Sequence, residues 1–173
     1  MPHALVVYES MWGNTAQVAR AIAKGLSEMM DVDVVDVHEA PAEPTADVSL
    51  VVAGGPTHAF SMSRPKTRAD AVRQGAPEPD VDLGIREWLE ALPSGDHPQT
   101  LATFDTRVDK VRHLPGSAAR SAAKTARRRG YHATAYAQSF YVRDMEGPLL
   151  DGELDRATAW GRQLAASMVA AAP

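Results

Sequence analysis

Cysteine is absent from the 173-residue chain. Its absence removes disulfides, thiolate-bound metals, iron–sulfur clusters and cysteine nucleophiles in one step, so any redox chemistry has to come from a bound cofactor. Two nucleotide-binding patterns are missing as well. No glycine is followed by lysine, which excludes the G-x-x-x-x-G-K-[ST] phosphate loop, and no G-x-G-x-x-G occurs. No apolar stretch approaches the roughly 20 residues needed to cross a bilayer. Met1-Pro2-His3 leads straight into a short apolar run, with neither the basic segment nor the cleavage pattern of a secretion signal. A formal net charge of -4 gives no sign of general nucleic-acid binding. These features predict a soluble, cytoplasmic protein with no membrane or nucleic-acid partner and no bound metal. Neither internal repeats nor low-complexity segments interrupt the chain, and residues 1–173 read as one domain.

What is present is an alternation of strands and helices. Ala4-Leu5-Val6-Val7-Tyr8 is a continuous apolar run, as expected of a strand buried on both faces. A helix is predicted from Thr15 to about Met30, with Val18, Ile22, Leu26 and Met29 at helical spacing, Asn14 as N-cap and Gln17 completing a capping box. Val32–Val37 alternates in part and reads as an edge strand. His38–Asp47 reads as a connection. Leu50–Ala53 is a third strand, closed by Gly54-Gly55-Pro56, and a long polar loop is expected from Thr57 to about Asp82. A helix with Ile85, Trp88, Leu89 and Leu92 on one face follows, then a strand at Thr100–Phe104. Next come a helix faced by Ala119, Ala122, Ala123 and Ala126 and ended by Gly130, and a strand within His132–Val142. The last helix carries Leu154, Ala157, Gly161, Leu164 and Met168. Five strands alternating with helices predict an α/β protein built from parallel βαβ units.

The turn Glu9-Ser10-Met11-Trp12-Gly13-Asn14-Thr15 joins a buried strand to a helix N-terminus. Backbone N–H groups and the positive end of the helix converge in such a turn. Ser10, Asn14 and Thr15 add polar side chains, and no Lys or Arg is present. A phosphate held here is neutralised by dipoles and hydrogen bonds, without ion pairing. The same residues also read as a plain turn whose polar groups only cap the helix.

Ser10, Gly13 and Thr15 match the [ST]-x-[TS]-G-x-T phosphate loop of the flavodoxin family, which this turn resembles. Trp12 departs from the pattern, and Ser10-Met11-Trp12-Gly13 is similar to the Ser-Met-Tyr-Gly sequence of flavodoxin-like quinone reductases. The resemblance implies a doubly wound five-stranded parallel sheet in the order 2-1-3-4-5, with helices on both faces and FMN at the switch point between strands 1 and 3. It places the phosphate against Ser10, Met11, Trp12, Gly13, Asn14 and Thr15. FMN is expected over FAD, because no dinucleotide fingerprint is present.

Gly54-Gly55-Pro56-Thr57-His58-Ala59-Phe60 resembles the loop that borders the flavin ring in that family. Pro56, Thr57, His58, Ala59 and Phe60 are the implied contacts, with the glycines letting the backbone approach a flat ligand. Taken singly, His58 also reads as an ordinary loop histidine and Phe60 as a packing residue. From His58 to Arg68 there is no glycine, so a peptide flip toward the ring is costly and strong support for a one-electron state is not implied. Phe104-Asp105-Thr106-Arg107 resembles the second ring loop, with its backbone at the pyrimidine edge. Asp105 either accepts from a flavin or loop N–H or pairs with Arg107.

Ser63-Arg64-Pro65-Lys66-Thr67-Arg68 reads as a basic rim beside the ring loop or as a solvated loop, and Arg127-Arg128-Arg129 suits a helix C-terminus. The resemblance implies an FMN-binding redox protein that transfers electrons through the flavin, its counterpart a redox partner protein or a small quinone or nicotinamide donor. One alternative is an FMN-dependent NAD(P)H:quinone oxidoreductase, favoured by Trp12, the glycine-free loop and the basic rim. The other is a flavin-free flavodoxin-fold interaction module, since a fold does not establish a function.

Overall fold

In the computed structural model, which describes residues 1–77, 80–134 and 137–171, the apolar runs form the middle layer of a three-layer sandwich. β1 (His3–Tyr8) lies between β2 (Asp31–Asp36) and β3 (Val48–His58), and β3 continues to β5 (Thr100–Val108) and β7 (Gln138–Asp144). These pairings are all parallel. The order is therefore the expected 2-1-3-4-5, with β2 at the edge. The fifth strand comes in two pieces: β6 (His132–Ala133) pairs with the start of β5, and β7 pairs with its end. Residues 135–136 between them lie outside the described residues. β4 (Ser61–Met62) and β8 (Gly147–Leu149) add short antiparallel partners to β3 and β7.

Helices α1 (Asn14–Leu26), α2 (Pro65–Arg73), α3 (Ile85–Ala91), α4 (Ala118–Arg128) and α5 (Glu153–Ala170) complete the fold. Alternate residues of each central strand face opposite cores. Ala4, Val6, Leu50, Val52 and Phe104 pack with α1 and α5. Leu5, Val7, Val51, Ala53 and Leu101 pack with α3 and α4. Because both faces are covered, the strands read as unbroken apolar runs. Each fully buried Leu or Val contributes about 1.5–3 kcal/mol of transfer free energy. α1 and α5 approach closely at Gly25 and Gly161, where a Cβ would run into the Thr158 and Ile22 carbonyl oxygens. No helix among the described residues is long and apolar enough to cross a membrane.

Several boundaries differ from the sequence expectations. α1 begins one residue early, with Gly13 at the N-cap position at φ 90, so Asn14 is its first helical residue. Capping falls to Ser10, whose Oγ accepts from the N–H groups of Gly13 (3.1 Å) and Ala16 (3.2 Å). The helix ends at Leu26, leaving Met29 exposed and Met30 buried. β3 runs through Gly54-Gly55-Pro56 to His58, and β5 runs four residues past Phe104. The expected loop from Thr57 to Asp82 contains β4 and α2, while residues 78–79 lie outside the described residues. Leu154 is exposed, so it adds nothing to the buried face of α5.

Candidate ligand-binding cleft

The carboxyl ends of β1, β3 and β5 open into one cleft, the position where doubly wound sheets bind ligands. Its main chamber, about 340 Å³, is lined by Thr57–Phe60, by one face of α2 and by Arg107, Val108 and Val111. A narrow end of about 40 Å³ continues from it to Met11, Trp12, Asn14 and Thr15. Thr57, His58, Arg107, Val108 and Met145 line both parts, so the two form one continuous space. The main chamber falls within the range typical of small-molecule pockets, roughly 300–1,000 Å³.

At the narrow end, the first turn of α1 presents N–H groups that helix geometry leaves unpaired. Ser10 satisfies those of Gly13 and Ala16. Those of Asn14 and Thr15 meet no acceptor among the described residues. The Thr15 hydroxyl lies 2.7 Å from that of Thr106, tying α1 to the end of β5. Asn14 Nδ2 donates to the Glu146 carbonyl (3.0 Å), which holds the β7–β8 turn over the helix end. Met11 is buried against Ala71 and Ala76, and Trp12 packs beside it, so the turn also braces α2.

The wall formed by Thr57–Phe60 is a tight hairpin. Thr57 and His58 pair with Met62 and Ser61, and the intervening Ala59 and Phe60 have φ 47 and 63. Positive φ at both central residues is the type I′ pattern, which normally selects Asn-Gly. Non-glycine residues pay about 1–2 kcal/mol each for this conformation. The left-handed backbone here is thus already adopted, without the glycine that the sequence argument required. Such strain concentrates at ligand clamps and switch regions.

His58 is held by Thr67, with Nδ1 3.0 Å from Oγ1. The Thr67 hydroxyl donates to Arg64 O and accepts from Arg64 N. Its hydrogen being used, the ring donates from Nδ1, and Nε2 carries the lone pair. Burial, assisted by the Arg68 charge, lowers the His58 pKa from 6.5 to about 4. The imidazole is therefore neutral near pH 7.

The structure brings Met11, Trp12, Asn14, Thr15, Pro56, Thr57, His58, Ala59, Phe60, Thr106 and Arg107 to the cleft, while Ser10 and Gly13 shape the turn behind it. Phe104 and Asp105 are elsewhere. Phe104 is fully buried against Phe140 and Trp160. Asp105 is fully buried and accepts from Ala119 N (2.9 Å) at the start of α4. Of the possibilities left open for it, it accepts from a backbone amide, and no ion pair joins it to Arg107 among the described residues. The two are core residues because β5 extends beyond Phe104, which moves the strand end to Thr106–Val108. Gly54 and Gly55 likewise serve internal packing, since a Cβ would strike Phe104 at the first and crowd Ile85 at the second.

The basic segment also divides. Arg64 and Lys66 are exposed, whereas Arg68 is fully buried. Sequence reasoning missed Thr67, Asp70, Ala71 and Gln74, the α2 face of the chamber. Pro65 at the first helical position and the 67-70-71-74 spacing were the available signals.

The arrangement is a flavodoxin-like α/β fold. The family model described as Flavodoxin matches residues 6–73, from β1 through α2. Among solved structures, an archaeal flavodoxin has 18% identity and a TM-score of 0.64, with 96% of this chain and 99% of that one covered. Oxidised Flavodoxin 1 from Bacillus cereus has 16% identity and a TM-score of 0.64, covering 99% of each chain. A flavodoxin, WrbA-like protein from Agrobacterium tumefaciens has 15% identity and a TM-score of 0.59, covering 98% of this chain and 99% of its own. No curated protein sequence matches the chain significantly.

Proposed function

We propose that the chain binds FMN in this cleft and transfers electrons through it. The supporting observation is convergence: unpaired helix N–H groups, a strained hairpin and the end of β5 face one space. The residues fit the group on three counts. Asn14 and Thr15 N–H are free to meet a phosphate. Gly13 is left-handed and nothing lies within 4 Å of where its Cβ would be, so the backbone there is open to a ligand. Arg107, only 7% exposed, keeps an Nε–H without an acceptor among the described residues.

Bound FMN supplies the electron-accepting and electron-donating chemistry. The chain's own work is positional. The α1 N-terminus and the Thr15 and Thr106 hydroxyls hold the phosphate end. Thr57–Phe60 on one side and Thr106–Val108 on the other confine the ring. Neutral His58 offers an acceptor at Nε2, and the α2 face lines one side of the chamber. The counterpart is a redox partner protein or a small quinone or nicotinamide donor.

A second reading, an FMN-dependent NAD(P)H:quinone oxidoreductase, is favoured by Trp12 in the cleft wall and by exposed Arg64 and Lys66 at the start of α2. The visible spectrum of the purified protein and mass spectrometry of the released cofactor test the first reading. Recovery of FAD, or a protein that takes up no flavin, overturns it. Rapid NADPH oxidation that depends on added quinone selects the second reading.

A further inference from the structure

Arg107 is out of place for a purely structural residue. It sits near the end of β5 at 7% exposure and lines both parts of the cleft. One end of its guanidinium is committed, because Nη2 donates to Val111 O (2.8 Å) and Leu114 O (3.1 Å). Those two bonds fix the side chain along the cleft wall. Its Nε–H has no acceptor among the described residues. A buried donor on a charged group is expensive to leave unmet, and a natural chain retains one mainly where a ligand completes it.

Among the described residues, no carboxylate ion-pairs with the guanidinium. Asp105, two residues back, accepts from Ala119 N; burial pushes its carboxyl above the usual range, and its hydrogen bonds and the Arg107 charge pull it only partly back. Asp70 lines the chamber and is paired with Arg73. Asp109 and Asp144 are paired with Arg112 and Lys110. His58, on the facing hairpin, is neutral near pH 7. A buried cation with no ion-pair partner among the described residues therefore borders the cleft.

We propose that Arg107 sets the cleft's preference for the reduced, anionic form of the flavin ring. The proposal rests on the reading of the cleft as an FMN site. Two electrons and one proton, with a low-potential reductant such as dithionite as the electron source, take the neutral ring to a monoanion. Coulomb attraction from a guanidinium that is itself almost fully buried favours that product over the oxidised ring.

The test is the midpoint potential of the bound flavin against pH, in wild type, Arg107→Gln and Arg107→Lys. In wild type the slope near pH 6 is expected to be about 30 mV per pH unit, one proton for two electrons. A slope of about 59 mV per unit, two protons for two electrons, overturns the proposal without any variant being made. Arg107→Gln should weaken binding of reduced relative to oxidised flavin at least tenfold, a fall of about 30 mV, and Arg107→Lys should restore most of it. Circular dichroism confirms that each variant is folded.

Riboflavin serves as the control for the phosphate. The potential shift in Arg107→Gln should be the same with riboflavin as with FMN. An unmoved potential, or a loss of FMN affinity with riboflavin affinity retained, places the guanidinium on the phosphate and overturns the proposal. Flavin that binds with an unmoved potential refutes this inference alone. A wild type that takes up neither flavin removes the FMN reading as well.

Discussion

Replacing Arg68 separates the electrostatics of the cleft wall from its packing. The side chain is fully buried, donating from Nε to Val81 O (2.6 Å) and from Nη1 to Ser63 Oγ (2.7 Å). Nη2 lies 2.9 Å from Glu87 Oε1, and Nη1 lies 3.8 Å from Glu9 Oε1. Glu9 is also fully buried, accepting from Ser63 Oγ and from Ile85 N. This cluster ties α2 and α3 to the end of β1. Arg68→Met keeps most of the volume and removes the cation. Loss of the Val81 and Ser63 bonds costs about 1–3 kcal/mol at any pH.

The rest of the cost depends on Glu9. Burial raises its pKa above 4.5, while the Ser63 and Ile85 bonds and Arg68 pull it back. A carboxyl whose pKa is higher folded than unfolded weakens the fold as pH rises from the unfolded value through the folded one. Without Arg68 that window extends upward, and an ionised Glu9 is left buried without a cation. Breaking such a pair costs about 3–5 kcal/mol in total. Urea unfolding of wild type and Arg68→Met should therefore show a small difference at pH 5 and a larger one at pH 8. Adding Glu9→Gln should remove the pH-dependent part. An equal difference at both pH values would refute the electrostatic account and leave only packing.

Three further outcomes follow from particular residues. Ala59→Asn with Phe60→Gly should stabilise the protein by roughly 1–2 kcal/mol in a urea or thermal melt, since strain at both positions is relieved against the added flexibility of one glycine. A destabilised variant would show that the left-handed hairpin is not strained. His58, lowered to about 4, should appear by nitrogen-15 NMR at pH 7 as the neutral ring with its proton on Nδ1. Because the unfolded chain binds that proton more readily, stability should fall as pH drops from about 6.5 toward 4. A His58 that is doubly protonated at pH 6 contradicts the assignment. Gly25→Ala forces α1 and α5 apart at the Thr158 carbonyl and should cost about 1–3 kcal/mol in the same melts. An unchanged midpoint would mean that the helix pair yields freely.

The sheet was legible because its strands are buried on both faces. Leu5, Val6, Val7 and Leu50–Ala53 leave no polar position to confuse the pattern. The turn after β1 was legible for a different reason, since a buried strand must deliver its backbone to a helix start. Strand ends were harder. Gly54-Gly55-Pro56 reads as a terminator, yet β3 continues through it because Phe104 and Ile85 occupy the space that side chains would fill. The same extension of β5 carried Phe104 and Asp105 into the core and moved the cleft-lining positions to Thr106–Val108. α2 was hidden by its polarity: Arg68 and Ala71 are its buried residues, and Arg68 is paid for by Glu9 and Glu87, partners distant in sequence.

The most direct test of the central claim is calorimetric titration of the flavin-free protein with FMN and with riboflavin, repeated for Thr15→Val. Thr15 joins the α1 N-terminus to Thr106 and lines the narrow end of the cleft. The account predicts one FMN per chain, bound at least tenfold more tightly than riboflavin. Thr15→Val should weaken FMN by roughly 1–3 kcal/mol, the cost of an unmet bond to a charged group, and riboflavin by much less. Equal affinity for the two flavins, or an FMN affinity untouched by Thr15→Val, would contradict a phosphate seated at the start of α1.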